Sequence, residues 1–190
     1  MEKSCIGCLF KKEPAMLKLV EPDIKYKVPF IEMMETWKAS GESPFPWMLE
    51  LDYSDFEELV NKMKDFSKGI GLPDGLVPCS VFWAYDDDAD KMVGVVNVRH
   101  YLNTDLYNTW GYIGYGVRPD ERNKGCATEI LRLTLEKCKD LPVKKVLLGC
   151  YKDTEACSRT IIKNGGVLEN EYKESKTGRL IQRFWINIKD

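Results

Sequence analysis

The chain of 190 residues is long enough to bury the core of one globular domain, and its 44% hydrophobic and 31% charged residues exclude a disordered polypeptide. The formal net charge of -2 provides no basic surplus for nucleic acid, and no run of about 18 apolar residues is present that would span a membrane. Seven cysteines without regular spacing favour reduced thiols, and therefore a cytoplasmic protein.

The patterned sequence begins after the first fifteen residues. Residues 1–15 are therefore predicted to be a flexible tail, and residues 16–190 a single domain. The tail holds Cys5 and Cys8 in a C-x-x-C spacing. A structural zinc site needs about four ligands, whereas His100 is the only histidine and the other cysteines fall in predicted strands and helices. The sequence predicts no metal site.

The first half of the chain is predicted to contain one strand and two helices. Ser54 is an expected N-cap, because Glu57 follows three residues later in the capping-box pattern. A loop rich in proline and tryptophan separates the two helices. The predicted elements are a strand at Leu17–Val20, a helix at Pro29–Ser40 and a helix from Ser54 to about Lys68.

The second half alternates strands and helices, which predicts an α/β fold with helices packed on a mixed sheet. Its clearest helix begins at Gly125 and has apolar residues at the i, i+3, i+4 spacing. The predicted strands are Cys79–Tyr85, Met92–Arg99, Trp110–Val117, Lys145–Tyr151, Val167–Lys173 and Leu180–Ile188, and a short helix runs from Asp153 to Asn164.

The segment 122–128 lies between a predicted strand and this helix. The first turn of a helix has free backbone N–H groups and the positive end of the helix dipole. Gly125 and Ala127 are small enough to let an anion approach the backbone, and Arg122 and Lys124 add positive charge. The residues alone therefore predict a pyrophosphate-binding loop.

The sequence Arg122-Asn123-Lys124-Gly125-Cys126-Ala127 resembles the acetyl-CoA signature of the GNAT superfamily, Gln/Arg-x-x-Gly-x-Gly/Ala. The chain looks most similar to small, poorly characterised bacterial members. The resemblance implies a twisted, mostly antiparallel sheet of six to seven strands with about four helices. It also implies transfer of the acetyl group of acetyl-CoA to a primary amine of a small molecule or peptide, by direct attack.

The resemblance also implies a set of site residues. Cofactor contacts are expected from Val117, Arg122, Asn123, Lys124, Gly125, Cys126, Ala127, Thr128, Thr154 and Ser158. The family's usual tyrosine, which protonates the departing thiolate, aligns with Ile161 and is absent. His100 is the predicted general base, because its unperturbed pKa is in range. Glu50, Asp52 and Tyr115 are predicted to shape the acceptor site.

Three functions remain open from the sequence. One is an acetyl-CoA-dependent N-acetyltransferase. The second is a non-catalytic acyl-CoA-binding sensor or interaction module, which the missing tyrosine favours. The third is an aminoacyl or other acyl transferase built on the same fold, since a fold does not fix a function. The acceptor amine and the oligomeric state, including a homodimer, are not determined by any motif.

Overall fold

A computed structural model describes residues 16–188, which form seven strands and five α-helices. The strands are β1 (Leu17–Val20), β2 (Cys79–Asp86), β3 (Lys91–Arg99), β4 (Ile113–Val117), β5 (Lys145–Tyr151), β6 (Val167–Lys173) and β7 (Leu180–Asn187). The helices are α1 (Lys27–Ser40), α2 (Phe56–Asp65), α3 (Thr104–Asn108), α4 (Cys126–Lys137) and α5 (Glu155–Lys163). The predicted tail and its Cys5–Cys8 pair lie outside the described residues.

The strands form two sheets. The first has the order β1-β2-β3-β4 and the second the order β5-β7-β6, with antiparallel pairing between all these neighbours. The two sheets are joined by an isolated bridge between Gly111 and Leu148. The predicted α/β architecture is confirmed, and its seven strands are divided between two sheets that touch at this bridge.

The first sheet is covered by helices on both faces. Successive residues of a strand point to opposite faces, so Val95 packs against α1 and α2 whereas Val96 packs beneath α4. Trp83 and Phe30 are fully buried on the first face, and their ring centroids lie 5.0 Å apart. The site between the sheets is therefore built on a rigid, well-packed frame.

Two predicted boundaries need correction, and one helix was not predicted. Asp55, not Ser54, caps α2, because its Oδ1 accepts a hydrogen bond of 2.9 Å from Glu58 N. The predicted strand at Trp110–Val117 begins only at Ile113, because its first residues turn toward the second sheet. Helix α3 was not predicted; Asn103 caps it through Leu106 N, at 2.9 Å, in a segment too short for a clear apolar period.

Within residues 16–188, no helix combines the length and the apolar character needed to cross a membrane.

Candidate active site

The two sheets meet at one end of β4 and separate toward the other. Where they meet, Tyr112 N donates to Leu147 O at 2.7 Å, and Gly149 N donates to Trp110 O at 3.2 Å. A Cβ atom on Gly111 would lie 2.0 Å from Leu147 O, so only glycine permits this approach. Beyond the junction β4 pairs with β3 but not with β5, and a cleft opens between β4 and β5.

This cleft is a cavity of about 820 Å³, a size suited to a cofactor and part of a second substrate. Its walls come from the end of β3, from β4 and β5, from the first turn of α4, from α5 along its length, and from the loop at Phe45. Among the described residues that line it there is no carboxylate and no imidazole, whereas four side chains are basic. These are Arg99, Arg122, Arg159 and Lys163.

The lining residues come from both faces of the first sheet. Tyr115 and Ala127 pack with the core beneath α4. On the opposite face, the Phe45 carbonyl lies 1.9 Å from the position that a Cβ on Gly116 would occupy. The loop before Trp47 therefore closes over β4 at Gly116, and the cavity reaches the α1 and α2 side of the sheet.

The predicted phosphate loop has the geometry of an anion site. Asn123 and Gly125 have left-handed backbone conformations, with φ of 62° and 87°. Gly125 precedes α4 and provides no side-chain cap, so the first N–H groups of the helix are available to a ligand. A Cβ at Gly125 would meet no atom within 4 Å, which leaves open space in front of the helix.

The basic residues of the loop are held by carboxylates of the protein. Arg122 donates through Nε to Val117 O at 3.2 Å and forms an ion pair of 2.7 Å with Glu42. Lys124 pairs with Glu121 at 3.0 Å. Arg122 lines the cavity, but Lys124 does not. The backbone of the loop is therefore the more direct feature for binding an anion.

Of the other predicted cofactor residues, some lie on the cavity wall and some do not. Those on the cavity wall are Val117, Asn123, Gly125, Ala127, Thr128 and Thr154. Cys126 is 7% exposed and packs in the core beneath α4. Ser158 donates to Glu155 O at 3.1 Å and is not part of the wall.

Ser158 is the residue of α5 that was predicted in the site, whereas the residues of this helix that line the cleft were not predicted. Cys157, Thr160, Arg159 and Lys163 all line the cavity there. The apolar and small residues of this helix recur at helical spacing, so the sequence contained the signal for an inward face. It did not show that the inward face meets a cleft rather than a closed core.

Tyr115 and Cys157 face each other within the cleft. The Tyr115 hydroxyl lies 3.7 Å from Cys157 Sγ. Burial, followed by the neighbouring thiol, raises the pKa of Tyr115 well above its ordinary value of 10.0, so this hydroxyl stays protonated. A hydrogen bond from Cys150 lowers the pKa of the Cys157 thiol. Tyr115 was predicted at the acceptor site, and the structure places it on the α4 and α5 side of β4.

His100 lies apart from the cavity wall. Its Nε2 is 2.9 Å from Ser80 Oγ, and its backbone N donates to Pro78 O at 2.9 Å. Burial lowers the pKa of its imidazole below 6.5. This placement gives no support to the predicted role of general base, because a base must reach the reacting amine directly or through a water.

Glu50 and Asp52 also lie outside the cavity wall, and both are exposed. Asp52 accepts hydrogen bonds from the Ser54 backbone N and hydroxyl, at 2.9 and 2.8 Å, and these bonds hold its pKa below the ordinary value. The carboxylate is therefore used in a local turn. The predicted acceptor contacts from these two acids have no support in their positions.

No group of three histidine, cysteine or acidic side chains within the described chain is arranged to hold a metal ion.

Comparison with known proteins supports one family. A sequence profile described as the acetyltransferase (GNAT) family matches residues 32–159, more than half of the chain. The chain belongs to the GNAT family. The predicted family resemblance is thereby confirmed. No curated protein sequence shows significant similarity to the chain.

Solved GNAT structures share this fold at low sequence identity. The microcin C7 self-immunity acetyltransferase MccE has a TM-score of 0.64 and 18% identity, over 90% of this chain and 92% of that chain. The ribosomal-protein-S5-alanine acetyltransferase of Vibrio fischeri has a TM-score of 0.63 and 13% identity, over 92% of this chain and 93% of that chain. A chimera of the spermidine N-acetyltransferase SpeG, from Vibrio cholerae and hSSAT, has a TM-score of 0.57 and 18% identity, over 90% of this chain and 95% of that chain. At these identities the likeness is one of fold.

Ile161, the residue predicted to align with the usual GNAT tyrosine, packs in the core of this protein. Ile161 is fully buried against the core of the first sheet, and its Cγ2 lies 2.4 Å from the position of a Cβ on Gly166. Ile161 also lines the cavity, so a larger side chain there would have to displace this packing or extend into the cleft. Tyr115 from β4 and Tyr151 from β5 both line the cleft, and the Tyr151 hydroxyl donates to Glu174 at 3.0 Å.

Proposed function

We propose that the protein is an N-acetyltransferase that transfers the acetyl group of acetyl-CoA to a primary amine of a small molecule or peptide. The observation that carries the proposal is the cleft between β4 and β5, which has the uncapped start of α4 at one end. Family membership supports the acyl transfer, and the similar MccE structure contains acetyl-CoA.

In this proposal the pyrophosphate of acetyl-CoA binds the backbone N–H groups at the start of α4, beside Gly125. The pantetheine arm follows the cleft along the edge of β4 that has no strand partner. Arg159 and Lys163 add positive charge on the α5 side of the cleft. Arg159 is exposed and its partner Glu155 is 3.6 Å away, so this cation is available to a phosphate.

The chemistry follows from the groups on the wall. The amine nitrogen attacks the thioester carbon, a C–N bond forms, the C–S bond breaks, and the ammonium proton passes to water. Backbone N–H groups near Val117 are suited to hold the oxyanion. Tyr115, kept protonated by burial, is suited to donate a proton to the departing thiolate, with Cys157 beside it.

A second candidate is a non-catalytic acyl-CoA-binding module. It is favoured by the lack of a carboxylate or imidazole among the described residues of the cavity wall. An acetyltransferase with this wall must release the amine proton to water, which requires an acceptor that is partly unprotonated at working pH.

One experiment separates the two candidates. The protein is incubated with acetyl-CoA and a panel of amino acids, dipeptides, polyamines and aminoacyl nucleotides, and free thiol and N-acetylated product are both measured. The enzyme proposal predicts amine-dependent thiol release matched by product. Tight CoA binding without amine-dependent release from any member of the panel would support the binding module instead.

A further inference from the structure

Arg99 stands at the end of β3, with its side chain on the wall of the cavity. It is 8% exposed. Its Nη1 donates to Gly111 O at 2.8 Å, a bond to the junction between the two sheets. Within residues 16–188 no carboxylate forms an ion pair with this guanidinium. A buried charge without a counter-charge is costly unless a ligand provides one.

The other two buried arginines of the described chain, unlike Arg99, each have an acidic partner. Arg118 pairs with Asp120 at 2.7 Å, and Arg183 pairs with Glu169 at 3.1 Å. Neither of these lines the cavity. Among the buried arginines of the described chain, the one that faces the cavity is also the one without an acidic partner.

The immediate neighbours of Arg99 do not neutralise it. Cys79 is its partner across β2 and β3, and burial raises the pKa of that thiol to about 11, so the thiol is uncharged near neutral pH. Asn97, two residues earlier on the same strand face, is 1% exposed and has a buried Oδ1 without a partner. Burial lowers the pKa of Arg99 to about 10, which still leaves it protonated near neutral pH.

Space for a ligand exists beside this guanidinium. Gly114 lines the cavity, and a Cβ on it would lie 3.6 Å from Arg99 Nη2 and 2.6 Å from Asn97 Oδ1. Asn97 Oδ1 therefore already occupies the place of a Gly114 side chain, and the room for a ligand is the cavity in front of Arg99 and Gly114. A carboxylate held there would receive N–H donors from Arg99 in the forked geometry that guanidinium groups favour.

This position is remote from the predicted phosphate loop. Arg99 is bonded to Gly111, before β4, whereas the loop follows Val117 at the other end of the strand. A five-residue strand spans about 13 Å. Arg99 also shares its strand face with Val95, on the side of α1 and α2, opposite to α4. The cofactor's pyrophosphate at α4 therefore leaves the Arg99 end free for a different anion.

We propose that Arg99 binds a carboxylate of the acceptor, so that the acceptor is an amine that also carries a carboxylate, such as an amino acid or a short peptide. The inference rests on the proposed acetyltransfer, since it names the acceptor class of that site. The positive charge of Arg99 also disfavours polycationic acceptors.

The test compares amino acids with their amides at equal concentrations of free amine, because amidation removes the carboxylate and also lowers the pKa of the ammonium group. Steady-state kinetics are measured for amino acids and for their amides, with the wild type, Arg99→Gln and Arg99→Lys. The wild type is expected to prefer the acids by 10-fold or more in kcat/KM. Arg99→Gln should reduce this preference to within about 2-fold, through the KM of the acids, while Arg99→Lys retains part of it.

Two controls distinguish carboxylate binding by Arg99 from a structural role and from a role in binding CoA. The Kd of CoA should be unchanged in both Arg99 variants, whereas Arg159→Gln should weaken CoA binding without altering the preference for acids over amides. Thermal unfolding checks that the variants fold, because Arg99→Gln also removes the bond to Gly111 O. Equal loss on acids and amides, or weaker CoA binding in the Arg99 variants, would assign Arg99 a structural or cofactor role and overturn the inference.

Binding without turnover is measured as well, by calorimetry of the same acids and amides with the CoA complex. If no amine is acetylated but the complex binds acids in an Arg99-dependent manner, the proposed catalysis fails and the carboxylate site stands. If polyamines or amides are preferred by the wild type, the carboxylate site fails and the acetyltransferase stands.

Discussion

The Tyr115 hydroxyl lies 3.7 Å from Cys157 Sγ, across the cleft between β4 and α5. One residue comes from the strand that leads to the phosphate loop and the other from the helix after β5. Together they place two proton-bearing groups in a cleft whose described wall has no acid or imidazole. The first prediction follows from this pair.

Tyr115→Phe is expected to lower kcat about 10-fold, with little change in the KM of acetyl-CoA. The expected loss is below the usual range for general acids because a thiolate is a fair leaving group. Since burial raises the pKa of Tyr115 above 10.0, its hydroxyl stays protonated, and wild-type kcat should not fall between pH 7 and pH 9.5 through loss of this donor. Tyr172→Phe, the same change outside the cavity, is the control. Equal kcat for wild type and Tyr115→Phe would remove Tyr115 from the mechanism.

Replacement of Ile161 by the family's usual tyrosine is expected to destabilise this protein without improving its activity. Ile161 is fully buried in the core beneath α4 and also lines the cavity. Overpacking at such a site costs about 1–3 kcal/mol. Ile161→Tyr should therefore lower the free energy of unfolding by about that amount, measured by urea denaturation, without raising kcat. Ile161→Val, the conservative control, should cost about 0.5–1.5 kcal/mol. An increase in kcat with unchanged stability would show that the tyrosine side chain extends into the cavity without disturbing the core.

Alanine substitutions at Gly125 and Gly165 test the role of the phosphate loop, with Gly165 as the matched control outside the loop. Both have φ of 87°, and at both a Cβ would meet no atom within 4 Å. Alanine at either position should therefore cause a similar backbone strain, about 1–2 kcal/mol. Only Gly125 lines the cavity. Gly125→Ala should raise the Kd of CoA 10-fold or more, whereas Gly165→Ala should leave it unchanged, in calorimetric titrations. Equal effects on the Kd would mean that strain alone weakens binding.

His100→Gln is expected to retain kcat/KM within about 2-fold at pH 7.5, because His100 bonds Ser80 and does not line the cavity. A 100-fold loss at unchanged stability would restore His100 as the general base.

The same variant should change the pH dependence of stability. Burial lowers the pKa of folded His100 below 6.5, so the folded state disfavours the charged form. The contribution of His100 is fully present above pH 6.5 and is lost as the pH falls through its folded pKa. Urea denaturation from pH 7.5 to pH 5 should show a smaller loss of stability for His100→Gln than for wild type. Identical curves would mean that His100 is not desolvated.

The sequence was most informative where the site is local in the chain. The phosphate loop from Arg122 to Thr128 is a continuous segment between a strand and a helix, and its physics depends on consecutive backbone groups. The alternation of strands and helices in the second half likewise follows local periodicity.

The rest of the site depends on where the two sheets separate. This is a tertiary feature that no local sequence pattern predicts. Arg99 and His100 are consecutive in sequence, yet Arg99 lines the cavity and His100 bonds Ser80. Choosing between them requires the strand face and the position of the cleft. The sequence drew attention to His100 for its pKa, and only the tertiary arrangement shows the cavity-facing residue to be Arg99.

The most direct test of the central claim is amine-dependent release of CoA thiol from acetyl-CoA, measured with N-acetylated product in the same reaction. The wild type is predicted to release thiol and form product in equal amounts with at least one carboxylate-bearing amine, and Gly125→Ala to do so only at higher acetyl-CoA concentration. Binding of CoA at the cleft, with no product from any amine tested, would contradict the account of this protein as an acetyltransferase.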